Sequence, residues 1–156
     1  MAAIDFKTFH ALMPFVTNTD DGAAFPVLIR GRHGIGKSAV VYAYGATRDL
    51  PVVERRASQM TEGDLLGLPN TDGNRTSWNP PDWFAEACER PVVLFLDEVD
   101  RATTEVRQGI FELCDSRKIA GNELHPETLI FAAINGGEHG AQYQVSEMDP
   151  AELDRY

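Results

Sequence analysis

The sequence is poor in the features that mark secreted, metal-binding and membrane proteins. It contains two cysteines, Cys88 and Cys114, which form no Cys-x-x-Cys pair and have no histidine cluster beside them. Such cysteines favour free thiols in a reducing compartment over a disulfide framework or a metal site. No apolar run approaches the roughly 18 residues of a membrane span, and residues 1–5 lack the basic and apolar segments of a signal peptide. We therefore expect a cytoplasmic protein with no membrane segment.

Basic residues are also scarce. Lysine and arginine number 14 against 24 aspartates and glutamates, which gives a formal net charge of −10 at pH 7. Proteins that bind nucleic acid through its phosphates usually carry a basic excess, so nucleic acid is not the expected partner, although a local basic loop is compatible with this composition. Hydrophobic residues make up 43% of the 156 residues, which is typical of a globular chain that buries a core. We expect one domain over residues 1–156.

Extended and helical patterns alternate along the chain. Short apolar runs predict strands near residues 26–29, 51–54, 91–96 and 128–134. Helical patterns cover residues 4–16, 38–50, 81–90 and 103–113, with a last short helical start at 150–155. Pro14 is expected to end or kink the first helix. This alternation predicts an α/β fold with a mainly parallel sheet.

Two turn-rich segments interrupt the alternation. Residues 57–80 contain several glycines and prolines, and Asp72-Gly73 within them is a hairpin signal. Residues 119–124 resemble a second hairpin, around Gly121-Asn122. Both are expected as surface hairpins on residue type alone.

A glycine-rich loop between the first strand and the second helix fits the pattern G-x-x-x-x-G-K-[ST]. Its residues are Gly31, Arg32, His33, Gly34, Ile35, Gly36, Lys37 and Ser38, followed by Ala39. Glycines let the backbone turn tightly and direct N–H groups at phosphates, and the helix N-terminus adds a favourable dipole. Lys37 is expected to reach the β- and γ-phosphates of ATP, and Ser38 to bind Mg²⁺. The variable side chains Arg32 and His33 are expected in solvent.

An acidic pair ends the apolar strand at residues 91–96. Asp97 and Glu98 follow it directly, and ligands of open α/β sheets bind at the carboxyl ends of strands. Asp97 is predicted to hold magnesium through its water shell, and Glu98 to polarise the attacking water as general base. Such a base is not needed by a small-molecule P-loop kinase, and the Asn-Lys-x-Asp guanine reader of GTPases is missing from the sequence.

Two further polar residues are weaker candidates. Asn135 follows the last predicted strand and could orient the same water, although a strand-end asparagine is more often a turn residue. Arg155 lies in Leu153-Asp154-Arg155-Tyr156, and residue type alone favours an ordinary solvated arginine there.

Taken together, residues from about Phe25 to Tyr156 resemble the AAA+ ATPases, specifically the MoxR-like and dynein-related branch. The glycine loop matches Walker A, and Leu94–Glu98 matches Walker B. The segment 97–102, Asp-Glu-Val-Asp-Arg-Ala, is similar to that branch's D-E-[IV]-[ND]-R-A, and residues 64–69 are similar to its D-L-L-G segment. The resemblance implies a P-loop αβα sandwich that binds ATP and Mg²⁺.

The resemblance also implies roles that the residues alone do not give. Asn135 falls at the family's sensor 1. Leu-Asp-Arg-Tyr is similar to its L-D-R-F segment, which implies that Arg155 is an arginine finger acting on a neighbour's ATP in a homo-oligomeric, hexameric ring. The hairpins around Asp72-Gly73 and Gly121-Asn122 correspond to loops that touch a protein client in relatives.

One departure concerns the end of the chain. Family members continue with a fifth strand, a helical lid and a sensor 2 arginine, whereas this sequence stops at Tyr156. We expect a large subdomain without its lid, as a fragment of a longer product or, less favoured, a reduced form. The leading hypothesis is an ATP-hydrolysing ring that remodels a protein client. An ATP-dependent assembly switch with little turnover is the alternative, and a small-molecule P-loop kinase is less favoured.

Overall fold

A computed structural model of the protein describes residues 4–17, 24–71 and 73–136. Its helices are α1 (Phe6–Thr17), α2 (Lys37–Thr47), α3 (Glu62–Leu66), α4 (Asp82–Glu89) and α5 (Thr104–Ser116). Its strands are β1 (Val27–Arg30), β2 (Val52–Arg56), β3 (Leu68–Asn70), β4 (Ser77–Asn79), β5 (Val93–Asp97), β6 (Lys118–Ile119), β7 (Asn122–Glu123) and β8 (Leu129–Ile134). The predicted helical start at 150–155, and Arg155 with it, lies outside the described residues. None of the helices described is long and apolar enough to cross a bilayer.

The main sheet has the strand order β1-β8-β5-β2, and every neighbouring pair is parallel. All residues of β8 and all but the last of β5 are buried, as expected for central strands that are covered on both faces. Because the four strands run in the same direction, their carboxyl ends meet at one edge of the sheet. That edge carries the end of β1, Asp97 at the end of β5 and Asn135 just after β8.

Helices cover both faces of this sheet, which confirms the predicted α/β sandwich. On one face α1 and α2 pack through residues such as Phe9 and Val41 against Phe131 of β8. On the other face α3, α4 and α5 supply the core residues Leu65, Phe84 and Ile110. The two buried clusters attach every helix to the sheet and hold its carboxyl edge in place.

Helix α1 continues through Pro14 to Thr17, so the alternative in which Pro14 ends the helix is wrong. A proline inside a helix removes one hydrogen bond to the preceding turn, but contacts outside the helix compensate here. Met13 and Phe9 are buried against α2 and the sheet. The Thr17 hydroxyl donates to the Met13 carbonyl at 2.8 Å and lies 2.8 Å from the Tyr44 hydroxyl oxygen.

The bounds of two other helices also differ from those predicted. Helix α2 stops at Thr47 rather than residue 50, because Asp49 takes a left-handed conformation with φ 54°. Helix α5 runs three residues beyond the predicted Leu113, to Ser116, and ends where Arg117 turns left-handed with φ 58°. These ends depend on single backbone angles that apolar periodicity does not report.

The turn-rich segment 57–80 contains a helix that the sequence analysis missed. In α3 the Thr61 side chain accepts a hydrogen bond from the Asp64 amide, and the Asp64 carboxylate accepts one from the Thr61 amide. This reciprocal capping box satisfies N–H groups that a helix end leaves open. Trp83 of α4 adds a tertiary anchor, since its indole N–H donates to the Asp64 carbonyl at 2.9 Å.

Both predicted hairpins are confirmed. Strands β3 and β4 pair antiparallel and are connected by residues 71–76, the segment that contains the predicted Asp72-Gly73 signal. Strands β6 and β7 also pair antiparallel, but their turn residues are Ala120 and Gly121 rather than Gly121-Asn122. Both have positive φ, 50° and 86°, as the favoured two-residue hairpin turn requires. The hairpins lie side by side, where the Asn122 amide donates to the Trp78 carbonyl at 3.5 Å.

Gly67→Ala is expected to destabilise the β3–β4 hairpin strongly. Gly67 has φ +79°, and a Cβ there would lie 1.9 Å from the Asn79 carbonyl oxygen, so the hairpin's base must open. Gly73→Ala is the matched control, because Gly73 has φ +101° but no atom within 4 Å of an added Cβ. The control carries backbone strain alone, about 1–2 kcal/mol. Urea unfolding should show a larger loss for Gly67→Ala, and equal losses would contradict the close approach.

Candidate functional site

The candidate site lies where the loop after β1, the end of β5 and the end of β8 meet. The register places β1 beside β8 and β8 beside β5, so the three segments are neighbours at the carboxyl edge. The loop 31–36 connects β1 to α2, and its first N–H, that of Gly31, donates to the Ile134 carbonyl of β8 at 3.2 Å. Residues far apart in the chain are thereby brought to one place.

The glycine loop has the backbone that a phosphate site needs. Gly34 and Gly36 have φ 77° and 96°, left-handed angles that disfavour other residues. Gly36 is the N-cap of α2. The first N–H groups of that helix have no partner within the helix, and they stabilise an anion placed at the helix start. The Phe6 ring closes one side, since a Cβ on Gly36 would lie 3.3 Å from its Cζ. Four neighbouring side chains are exposed: Arg32, His33, Ile35 and Ala39.

Lys37 is buried at 9% exposure and donates three hydrogen bonds. Its Nζ lies 2.9 Å from the Gly31 carbonyl, 3.2 Å from that of Arg32 and 3.0 Å from Asn135 Oδ1. Burial lowers the pKa of Lys37, and the carboxylates of Asp97, Asp100 and Glu98 act in the opposite direction. The ammonium thus joins the glycine loop to Asn135 at the end of β8.

The acidic pair at the end of β5 has a constrained backbone. Asp97 Oδ1 accepts from the Glu98 amide at 2.8 Å. Glu98 takes the left-handed conformation, φ 55° and ψ 39°, which costs a non-glycine residue about 1–2 kcal/mol. Such strain is often found at functional sites. It turns the chain sharply, so that two consecutive carboxylates sit at the strand end with different surroundings.

The Glu98 carboxylate is held by residues that the sequence analysis did not select. Ser58 Oγ donates to Glu98 Oε2 at 2.5 Å, and Arg101 Nη1 lies 3.7 Å from Oε1. Ser58 sits in the 3-10 turn Ala57–Gln59 that follows β2, the strand beside β5. The sequence signal for Ser58 is weak: it is a polar residue that follows a strand. The signal becomes useful only when the strand order places that strand beside the acidic strand β5.

Asn135 follows β8 and lies next to the glycine loop. Its Oδ1 accepts from Lys37, while its Nδ2 is buried without a hydrogen-bond partner in the described part of the chain. Its backbone N–H donates to Asp100 Oδ2 at 3.1 Å. The structure therefore joins Lys37, Asn135 and Asp100 in one chain of contacts. Arg155 lies outside the described residues.

These residues fit ATP and magnesium. Free N–H groups and an ammonium suit phosphate oxygens, and the buried Nδ2 of Asn135 is a donor that still needs an acceptor. The carboxylate of Asp97 and the hydroxyl of Ser38 are hard oxygen ligands of the kind that Mg²⁺ takes together with substrate phosphates. The arrangement can bind a phosphorylated nucleotide and place a base beside it.

A family model for the AAA domain, dynein-related subfamily, matches residues 26–156. The chain belongs to this family. This AAA domain is also similar to two curated proteins. BssE of Thauera aromatica, named as a candidate chaperone, is 28% identical over 139 residues, which are 83% of this chain and 48% of BssE. Midasin of Giardia intestinalis is 33% identical over 96 residues, which are 60% of this chain and 2% of midasin. The AAA domain thus spans about half of one relative and a small part of the other.

Solved structures share the fold. A candidate ATPase from Cytophaga hutchinsonii superposes with a TM-score of 0.64 at 20% identity, over 96% of this chain and 43% of that one. A full-length MCM homologue from Methanopyrus kandleri gives a TM-score of 0.59 at 19% identity, over 94% of this chain and 31% of that one. At these identities the likeness concerns the fold of the AAA domain.

Proposed function

We propose that this AAA domain binds ATP with Mg²⁺ and hydrolyses it at the site described above. The observation that carries the proposal is the convergence of Lys37, Asp97, Glu98 and Asn135 at one sheet edge, beside a glycine loop with left-handed glycines. These groups supply what phosphoryl transfer to water needs: a cation, a metal ligand, a base and a polar orienting group. Membership of an ATPase family supports nucleotide binding in general.

On the phosphate side, Lys37 exchanges partners. Its three hydrogen bonds now go to protein oxygens, and phosphate oxygens would replace some of them, because a bond between charged groups is the stronger. The free N–H groups at the start of α2 bind the same phosphates. Ser38 and Asp97 would hold Mg²⁺, which would supply positive charge to offset that of the phosphate oxygens.

On the water side, Glu98 is the proposed base. Its side chain is only 13% exposed, and its carboxylate contacts Ser58 and Arg101. Both contacts hold the carboxylate in place, and because a carboxylate has about four lone-pair sites on its two oxygens, Oε1 can still accept a proton from water. Asn135 Nδ2, which points away from Lys37, can donate to the water or to the terminal phosphate.

Lys37→Ala is expected to weaken ATP binding by about 10- to 100-fold, since a hydrogen bond to a charged group is worth roughly 1.5–3 kcal/mol. Lys118→Ala is the matched control, because Lys118 is exposed and paired with Glu123 on the β6–β7 hairpin. Isothermal titration calorimetry with ATP and Mg²⁺ measures both. Unchanged affinity in Lys37→Ala would refute the phosphate-loop assignment.

We further propose that the AAA domain works in a homo-oligomeric ring on a protein client. Two observations support it: BssE is named as a candidate chaperone, and the two hairpins lie side by side on one surface, joined at Asn122 and Trp78. Leu68 on that surface is 74% exposed, an apolar contact available to an unfolded segment. Arg155 would act on a neighbour's ATP.

An assembly switch with little turnover is the second candidate, and the contact between Ser58 and Glu98 favours it. Ser58 and Arg101 hold the Glu98 carboxylate where it is, and a base that does not turn toward the attacking water gives little turnover. Light scattering and phosphate release, measured together with ATP and Mg²⁺, separate the two. Nucleotide-dependent oligomers without phosphate release support the switch, and sustained release supports the hydrolase.

A further inference from the structure

We propose that Asp100 is a positioning residue for hydrolysis, which holds Asn135 so that its amide faces the reacting phosphate. The inference rests on the proposed function, because it concerns the same site. Asp100 is 3% exposed and belongs to the 3-10 turn Val99–Arg101 after β5. It is a third acid beyond Asp97 and Glu98, and neither metal binding nor base catalysis has been assigned to it.

Asp100 provides a hydrogen-bond acceptor for Asn135 beyond the last paired residues of β5 and β8. The last pair in the register of β5 and β8 is Leu96 with Ala132. Asn135 lies three residues further along, where its N–H has no opposing strand to bond. Asp100 Oδ2 accepts that N–H at 3.1 Å. Because a hydrogen bond to a carboxylate is stronger than one between neutral groups, this contact fixes the Asn135 backbone beyond the end of the sheet.

The second contact of Asn135 fixes its side chain. An ammonium can only donate, so the Asn135 atom 3.0 Å from Lys37 Nζ is the carbonyl Oδ1. Nδ2 must then point away from Lys37, and it is buried without a partner among the described residues. Because the backbone N–H and the side-chain carbonyl of Asn135 are both hydrogen-bonded, its side-chain N–H group has one fixed direction in which it can donate to a ligand.

The charge of Asp100 acts on the same network. Burial raises the pKa of its carboxyl, while the Asn135 amide and the charges of Arg101 and Lys37 act against that rise. Its second oxygen, Oδ1, is buried and unpartnered in the described part of the chain. A buried carboxylate needs such partners to stay charged. Besides its own backbone amide and the neighbouring Arg101, those of Asp100 are Asn135 and Lys37 of the phosphate site.

Asp100→Ala is expected to reduce kcat for ATP by about 10- to 100-fold, the usual cost of losing an outer residue that orients a group in a site. ATP affinity should change far less, because Lys37 and the loop remain. Asp100→Asn keeps an acceptor for the Asn135 N–H and should recover most of the lost rate. If Asp100 acts through Asn135, the double variant Asp100→Ala/Asn135→Ala is no slower than Asn135→Ala alone.

Thr128→Val is the matched control for stability. Thr128 is 0% exposed at the start of β8, the opposite end from Asn135, and its hydroxyl lies 3.0 Å from the Ala87 carbonyl and 3.3 Å from the Val92 amide. It should lower the melting temperature while leaving kcat near the wild-type value. Additive losses for Asp100→Ala and Asn135→Ala would overturn the proposal and leave Asp100 as a structural residue.

A measurement without turnover keeps the inference separate from the proposed function. In nitrogen-15 NMR of the full chain without nucleotide, Asp100→Ala should shift the backbone and side-chain amide signals of Asn135 and speed hydrogen exchange at its backbone N–H. Unmoved Asn135 signals would overturn the role of Asp100, whether or not ATP is hydrolysed. Moved signals in a protein that hydrolyses no ATP would show that Asp100 holds Asn135 and would refute its role in hydrolysis together with the hydrolase.

Discussion

Glu98→Gln is expected to bind ATP normally and to lose hydrolysis by about 10²–10⁴-fold, the usual contribution of a general base. The glutamine keeps the size of the side chain and an oxygen that can accept from Ser58 Oγ, which lies 2.5 Å from Glu98 Oε2. The substitution therefore removes the basic group and leaves the local geometry. Single-turnover phosphate release and ATP titration, measured on the same preparation, give the two quantities.

Glu127→Gln is the control for this experiment, because Glu127 is an exposed acid in the loop before β8, away from the carboxyl ends of the strands. It should hydrolyse ATP at the wild-type rate. If Glu98→Gln also loses ATP binding, Glu98 has a metal-binding or structural role, and the assignment of the base is wrong. Both variants should be measured in a form of the protein that includes the helical lid of the family.

Arg155→Ala is expected to cut turnover by about 10³–10⁵-fold in the assembled state, the range known for arginine fingers. An isolated subunit should still bind ATP, because the finger acts across an interface. The motivating observation is the segment Leu153-Asp154-Arg155-Tyr156, about twenty residues after Asn135, in a chain whose family match extends to residue 156. Calorimetry on dilute subunits and phosphate release from oligomers separate binding from turnover.

A mixing experiment decides whether Arg155 acts in trans. Arg155→Ala and Lys37→Ala subunits should each be inactive alone. In a randomly mixed head-to-tail ring, about one interface in four joins an intact Lys37 site to an intact Arg155 of its neighbour. Activity should therefore return to roughly that fraction. Mixed oligomers, verified by native mass spectrometry, that show no recovery would exclude the trans role.

The parts of the site that are contiguous in the chain were predictable from the sequence. The glycine loop from Gly31 to Ser38 would bind phosphate through consecutive backbone groups, so the spacing of its residues is enough to predict the site. The apolar run before Asp97 marks a buried strand for the same reason, since each residue contributes to one local pattern. Both hairpins followed from turn residues, although the turn of the second lies one residue earlier than expected.

Short helices and helix ends were less accessible. Helix α3 depends on the capping box between Thr61 and Asp64 and on the Trp83 indole, and five residues are too few to show a periodicity. Helix α1 passes Pro14 because Phe9 and Met13 are buried against distant elements. In both cases tertiary contacts outweigh the local preference, and the local sequence does not reveal those contacts.

The contacts that set the chemistry join residues far apart in the chain. Lys37 reaches Asn135 across 98 positions, Ser58 reaches Glu98 across 40, and Asp100 reaches Asn135 across 35. Residue types and local spacing identified the loop, the acids and the strand-end asparagine as candidates. Their meeting depends on strand order: β8, the last strand described, inserts between β1 and β5. That order arises because the most apolar strands are most stable when covered on both faces, a property of the packed sheet as a whole.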